Sequence, residues 1–284
     1  MANLNPEHYN TANSIQVDQG SVMINQILLD HPTRIFSLIM DIGCGTGNVT
    51  NALREKIPHE KFHAFDKDPD MIAFAVGNNQ SPDTITYVID DIATPWENLC
   101  QETKSCEGQV DLAFSNYVLH WITDIQQVME NLTRLLKPGG VFYLNVIGMR
   151  PICTLLPESL KYLKLGTIQS QLEEMVVALK NAGLRVNRHH IIEDKWHCRS
   201  DKEYATFLKI VPNCYLVRIE AQVWKSIDTQ ERERMTGEIA KAAHKVYEMD
   251  AVKVFEEGQD SYGISYNGFR VEGMKEAIID SQSK

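Results

Sequence analysis

Asp41, Gly43, Gly45 and Gly47 occupy alternate positions directly after the apolar run Ile35-Phe36-Ser37-Leu38-Ile39-Met40. Glycines so spaced let the backbone turn sharply and approach a ligand with no Cβ in the way. The carboxylate at the mouth of that turn attracts a cation and repels a diphosphate. Asp66 ends the run Lys61-Phe62-His63-Ala64-Phe65, about twenty residues beyond the glycines, where a carboxylate can accept both hydroxyls of a ribose. Asp90 and Asp91 end the β-branched run Thr84-Ile85-Thr86-Tyr87-Val88-Ile89, and Ser115 and Asn116 end Gln109-Val110-Asp111-Leu112-Ala113-Phe114. A dinucleotide suits this set poorly. Its fingerprint needs a third small residue where the helix packs on the strand, and the register Gly43-x-Gly45-x-x-Asn48 places an amide side chain there.

Each of these polar positions closes an apolar run, and the runs read as buried strands alternating with helices. Asn48-Val49-Thr50-Asn51-Ala52-Leu53-Arg54 restarts as a helix, so strand, glycine turn and helix open a nucleotide-type βαβ unit. Asp66-Lys67-Asp68-Pro69-Asp70-Met71-Ile72 is a capped helix start, with Asp68 best read as the N-cap and Pro69 in the first turn. Residues 95–109 are polar and predict a surface helix plus loop. Gln126 to Leu136 is amphipathic and is stopped by Lys137-Pro138-Gly139-Gly140; Val141 to Ile147 is a fifth strand. Residues 149–166 predict an irregular stretch with a short helix. Ile168 to Ala182 predicts a helix closed by Gly183, and Leu184 to Cys198 a sixth strand. Helical patterns fill 200–257, one beginning at Asp228-Thr229-Gln230-Glu231, and Tyr262 to Val271 is the last strand. A helical pattern also runs from Tyr9 to Leu29.

These elements predict an α/β fold with a Rossmann-like, doubly wound, seven-stranded sheet, mostly parallel with a last antiparallel strand, plus a helical cap. The expected organisation is a single domain over 1–284, with a leading helix within 1–30 over the cofactor pocket and the cap within 200–260.

Asp-x-Gly-x-Gly-x-Gly resembles motif I of the class I methyltransferases, and Leu-Leu-Lys-Pro-Gly-Gly before an apolar strand is a further shared trait. The resemblance implies S-adenosylmethionine as cofactor. That molecule carries an ammonium and a sulfonium and no phosphate, which agrees with the acid at 41. By the same resemblance Gly43, Gly45 and Gly47 approach the cofactor, and Asp66 with its neighbour Lys67 meets the ribose. Asp91 receives the adenine amino group, Ile92 packs on the purine, and Ser115 and Asn116 face the cofactor from the carboxyl edge of the sheet, where ligands bind in open α/β folds. Asp90 is read as a neighbour of Asp91.

Composition narrows the partners. The chain has 284 residues, 43% hydrophobic, with 28 basic against 38 acidic residues and a formal net charge of −10. An acidic surface argues against a nucleic-acid substrate. No apolar stretch reaches the length of a membrane span, and the polar start has no secretory core. The six cysteines form no C-x-x-C pair, which suggests free thiols and a cytoplasmic location. His189, His190 and His197 lack zinc spacing, so no metal is expected.

The methyl acceptor is addressed by two short elements. Tyr9-Asn10-Thr11-Ala12-Asn13-Ser14-Ile15-Gln16 and Leu119-His120-Trp121 resemble elements of the insect juvenile hormone acid methyltransferases, Tyr-x-x-Ala-Asn-x-x-Gln and Leu-His-Trp. The resemblance covers about the first half of the chain and implies that Gln16 and Trp121 grip a substrate carboxylate. Asn13 and Gln16, three apart, are expected on one helix face. His120 is either a third donor or a structural histidine. A carboxylate is ionised at neutral pH and needs orientation, with no dedicated base. Tyr162, Tyr204, Phe207, Leu208, Tyr215 and Trp224 either line an apolar pocket or are plain core. The expected reaction is carboxyl O-methylation of a small hydrophobic acid of the farnesoic or juvenile hormone acid type, by a chain that can form a homodimer. The alternatives are a class I methyltransferase for another acid, a hydroxyl or an amine, and a binding protein that keeps the fold without catalysis.

Overall fold

The structure is a computed structural model and describes residues 5–10, 12–78, 81, 83–148, 166–198, 200–216, 227–250, 252–256 and 259–277. In chain order its elements are α1 (Pro6–Asn10), α2 (Ser14–Asp30), β1 (Phe36–Ile42), α3 (Asn48–Lys56), β2 (His59–Asp66), α4 (Pro69–Gly77), β3 (Ile85–Ile89), α5 (Gln101–Lys104), β4 (Val110–Asn116), α6 (Ile125–Leu135), β5 (Leu136–Ile147), α7 (Ile168–Asn181), β6 (Arg185–Cys198), α8 (Asp201–Leu216), α9 (Thr229–Asp250), β7 (Val252–Glu256) and β8 (Gln259–Met274).

The strands form one sheet in the order β3-β2-β1-β4-β5-β8-β6. β1 to β5 pair in parallel, while β8 runs antiparallel to both β5 and β6. The seven-strand path with its antiparallel last-formed strand is the predicted one. The short β7 is an addition, pairing with the first part of β8 over a stretch read as helical from sequence.

Two apolar layers cover the sheet. Met23, Ile24 and Ile27 of α2 and Leu53 of α3 pack on Phe36, Ile39, Phe62 and Phe114. Val128, Leu132, Leu172 and Leu179 of α6 and α7 pack on Met40, Ala113, Phe142 and Leu144 on the opposite face. Neighbouring residues of β1 and β4 therefore go to opposite layers although both are buried, the pattern of a parallel strand covered on both sides. A third, aromatic-rich cluster joins β6 and β8 to α8 and α9, around Trp196, Tyr215, Tyr247 and Tyr266.

The structure corrects several local expectations. The leading helix is broken: α1 ends at Asn10, α2 begins at Ser14, and Asn13 at the cap has φ −110. The polar side chains at the break are drawn to other elements: Asn10 Oδ1 accepts from Asn48 Nδ2, and Ser14 Oγ accepts from the Trp196 indole N–H. Asn13 is thus a cap and Gln16 lies in the first helical turn. β5 starts at Leu136, before the glycines, with an irregular step between Val110 and Leu112 of its partner strand. The predicted irregular stretch 149–166 lies outside the described residues except Gly166, as do Tyr162 and Trp224.

Candidate functional site

The glycine turn connects β1 to α3, and all three of its glycines are left-handed: Gly43 at φ 75, Gly45 at φ 53 and Gly47 at φ 80. A Cβ on Gly43 would stand 2.4 Å from Val118, and one on Gly47 would stand 2.7 Å from the Tyr87 hydroxyl. Any side chain at either position is excluded twice, by backbone conformation and by space. The turn is held from β2: Gly43 and Cys44 N–H both donate to Phe65 O.

Asp66 closes β2 and pins this turn. Its carboxylate accepts the Gly45 N–H at 3.0 Å and the Asp68 N–H at 3.0 Å. Each oxygen retains a lone pair, so acceptance from ribose hydroxyls remains open. Burial is the main reason its pKa lies above the ordinary carboxylate value, partly offset by those two N–H bonds. Lys67 is exposed beside it. Tyr9 of α1 lies over Gly45, and Asn10 Oδ1 accepts from Asn48 Nδ2 at 2.5 Å.

Asp41 differs from its expected place. The residue is 2% exposed, on the α3 face of β1, and accepts the Thr50 hydroxyl at 2.6 Å. The charge is beneath the turn and not on its rim. Burial, with Asp66 adding repulsion, pushes its pKa up to about 7 against the Thr50 bond. Two acids with raised pKa under one turn disfavour a diphosphate and leave room for a cationic ligand to lower both.

Two other placements are corrections. Ile92 is 3% exposed and belongs to the main core, and its carbonyl accepts from Asn131, so its side chain offers no face to a purine. Ser115 is fully buried and donates to Ile42 O at 3.1 Å; strand alternation turns it toward the layer of α6 and α7. Asp91 is half-buried and accepts the Ala93 N–H at 3.0 Å, while Asp90 is buried and accepts N–H groups of Asp91 and Cys100. This supports the division of Asp91 as the outward acid and Asp90 as the structural neighbour.

The leading element is tied to the end of β4, just before the Leu119–Trp121 turn. Asn116 Nδ2 donates to Gln16 O at 2.9 Å, and Asn116 Oδ1 accepts from Asn145 Nδ2 at 2.9 Å. Gln16 is half-buried, and its buried amide oxygen has no partner among the described residues. Contact with a carboxylate requires the amide to turn half over and present its nitrogen. Leu119–Trp121 forms one 3-10 turn, in which the Trp121 N–H donates to Val118 O. His120 is buried, Trp121 is half-buried, and their rings lie 5.3 Å apart. Sequence reasoning missed Thr50, which pins Asp41, and Tyr117, whose left-handed backbone (φ 59) has no glycine to signal it.

A methyltransferase-domain family model matches residues 40–142, from the end of β1 to β5. Over those residues the chain matches a methyltransferase domain, whose cofactor is S-adenosylmethionine. Over 102 residues the chain is 33% identical to a malonyl-[acyl-carrier protein] O-methyltransferase of Hahella chejuensis, covering 36% of this chain and 33% of that protein. It is 26% identical over 190 residues to malonyl-[acyl-carrier protein] O-methyltransferase 2 of Ilyobacter polytropus, covering 65% and 67%. The solved structure of a Haemonchus contortus phosphoethanolamine N-methyltransferase 2, with phosphomonomethylethanolamine and S-adenosylhomocysteine, matches at TM-score 0.50 and 15% identity, covering 91% of this chain and 52% of that one. This likeness is one of fold. The chain thus spans between a third and two thirds of the length of these two curated relatives. Among the described residues no helix is long and apolar enough to cross a membrane.

The residues fit the cofactor class. Bare backbone at Gly43 and Gly45, the Asp66 carboxylate at the end of β2 and Asp91 at the end of β3 can hold a nucleoside, and buried Asp41 favours the positive charge it brings.

Proposed function

We propose that the protein methylates the carboxylate of a small hydrophobic acid, of the farnesoic or juvenile hormone acid type, to its methyl ester. One observation carries this reading. Gln16 is tied to the end of β4 beside the Leu119–Trp121 turn, and the aromatic cluster of β6, β8, α8 and α9 reaches the same edge through Ile15 and Tyr117. A polar head site continuous with an apolar cluster suits an amphipathic acid.

When bound, S-adenosylmethionine supplies an electrophilic methyl group on a cationic sulfur. The chain's part is to bind and orient. Gly43 to Gly47, Asp66 and Asp91 fix the donor, and Gln16 and Trp121 aim one carboxylate oxygen. The surrounding aromatic residues exclude water, so the opposite charges of donor and acceptor attract strongly as they cancel. No proton is removed from the acceptor, and no general base is assigned. His120 is a third donor or a support for Trp121.

The experiment is incubation with S-adenosylmethionine and a panel of fatty and isoprenoid acids, phenols and amines, with products read by mass spectrometry. Methyl esters from the isoprenoid acids are expected, at a rate flat between pH 6 and 8 when S-adenosylmethionine is saturating. Products only from phenols or amines, with a rate falling at low pH as a base protonates, would contradict the reading. The relatives' names favour a second acceptor, a malonyl group on a carrier protein, and esterification of a malonyl thioester alone would replace the isoprenoid acid with it.

A further inference from the structure

At the carboxyl edge of the sheet, on the face covered by α2, three buried polar groups gather. The Nε of Arg270 has no hydrogen-bond partner among the described residues, and the hydroxyls of Tyr117 and Tyr266 have none beyond one another. Tyr117 is 5% exposed and Tyr266 is 4% exposed. Buried polar groups are nearly always satisfied, so an open Nε beside this phenol pair needs an explanation.

The backbone brings them to one place. Tyr266 and Arg270 share a face of β8, with Gly268 between them carrying no side chain. Arg270 stands opposite Asn145 of β5, and Gly268 stands opposite Ile147, so Tyr266 lies just past the end of that strand. Tyr117 arrives from β4: its N–H donates to Asn145 O at 2.8 Å, and its φ of 59 is a left-handed conformation. Such strain in a non-glycine residue gathers at ligand sites. The two phenols share a hydrogen bond. Burial is the main cause of their raised pKa, with Arg270 acting against it and the more distant Asp194 acting with it. Arg270 is held by Gln19 of α2 through Nη2, and among the described residues no carboxylate forms an ion pair with it.

The chemistry of the set is that of an anion site. It has one fixed positive charge, the Nε–H of Arg270, and one hydroxyl of the phenol pair left to donate outward. A carboxylate has about four lone-pair sites, so two donors leave others for attack on a methyl group. The position is also apt. Val118, next to Tyr117, packs against Gly43 of the cofactor turn, while Tyr117 and Tyr266 belong to the aromatic cluster on the other side.

We propose that Tyr117, Tyr266 and Arg270 bind the carboxylate of the acceptor, with Gln16 and Trp121 flanking it. This rests on the reading of the protein as a carboxyl methyltransferase and names the residues that select an acid over an alcohol.

The test uses the full chain saturated with S-adenosylhomocysteine, titrated with farnesoic acid and with farnesol, beside methyl-transfer kinetics. Tyr117→Phe and Tyr266→Phe remove hydroxyls that pair only with each other, so a Tm within a few degrees of the parent's is expected. Each should weaken farnesoic acid binding and raise its KM about tenfold, and Arg270→Met about a hundredfold. S-adenosylhomocysteine affinity should stay within twofold. If the parent protein binds and methylates the acid and the three variants do so equally well, the assignment of these residues is overturned while the carboxyl reading stands. If the parent binds S-adenosylhomocysteine but neither binds nor methylates any acid, both fall together. A drop in Tm in both phenylalanine variants, with unchanged KM, would show the hydroxyls to be structural and also overturn the proposal.

Discussion

Replacing Asp41 by Asn should make the ligand-free protein more stable and the cofactor complex weaker. Asp41 is 2% exposed, and burial, aided by Asp66, raises its pKa to about 7. In the unfolded chain the same group titrates near 3.9. Because the folded form holds the proton more tightly, stability is lost as pH rises from about 4 to about 7. About three units at about 1.4 kcal/mol each gives a penalty on the order of 4 kcal/mol above neutral pH. Asn keeps an acceptor for Thr50 without a charge. At pH 8 its Tm should exceed that of the parent by several degrees, and the gap should close toward pH 4. S-adenosylmethionine should then raise the parent's Tm more than the variant's, since the buried carboxylate attracts its charge. Thermal unfolding across pH 4 to 8, with and without the cofactor, reads both effects. A variant equally or less stable at pH 8, or one that binds the cofactor as tightly as the parent, would refute the electrostatic reasoning.

Other outcomes follow from the same geometry. Gly43→Ala must adopt a left-handed backbone and meet Val118 at 2.4 Å; an unfolding titration should show a loss of roughly 2–4 kcal/mol, with cofactor binding abolished. Gln16→Ala and Trp121→Leu should keep the parent's Kd for S-adenosylmethionine by calorimetry and lose most turnover; full turnover in both would remove them from the acceptor site. Asp111 is buried against Arg34, Lys137 and the Ser37 N–H. Burial pushes its pKa up, but Lys137, Ser37 and Arg34 together bring it below the ordinary value. Its contribution is therefore present above about pH 4 and lost as pH falls below it. Asp111→Ala should cost roughly 2–3 kcal/mol at pH 7 by chemical denaturation, less than a fully buried pair because both cations are partly exposed.

The glycine turn was legible because glycine at alternate positions after a strand leaves few conformations, and all three proved left-handed. The strand ends at Asp66, Asp91 and Asn116 were legible from apolar runs that stop at polar residues. Side-chain direction was not. β1 and β4 are buried on both faces, so alternation in sequence carries no mark of which layer Asp41 or Ser115 enters. Ile92 was placed against the purine by the resemblance alone, and two acids directly before it hide that the core continues past β3. The break at Asn13 goes with long-range bonds from Asn10 to Asn48 and from Ser14 to Trp196, which a local periodic pattern does not record. Tyr117, Tyr266 and Arg270 are separated by about half the chain, and only the antiparallel insertion of β8 between β5 and β6 unites them.

Transfer of the methyl group to a carboxylate is tested by incubating the protein with methyl-tritiated S-adenosylmethionine and farnesoic acid, then treating the organic extract with mild alkali. A carboxyl ester releases the label as volatile methanol, and that is the predicted result. Label that stays on the acceptor through alkali would mean an ether or an N-methyl product, and would contradict the claim.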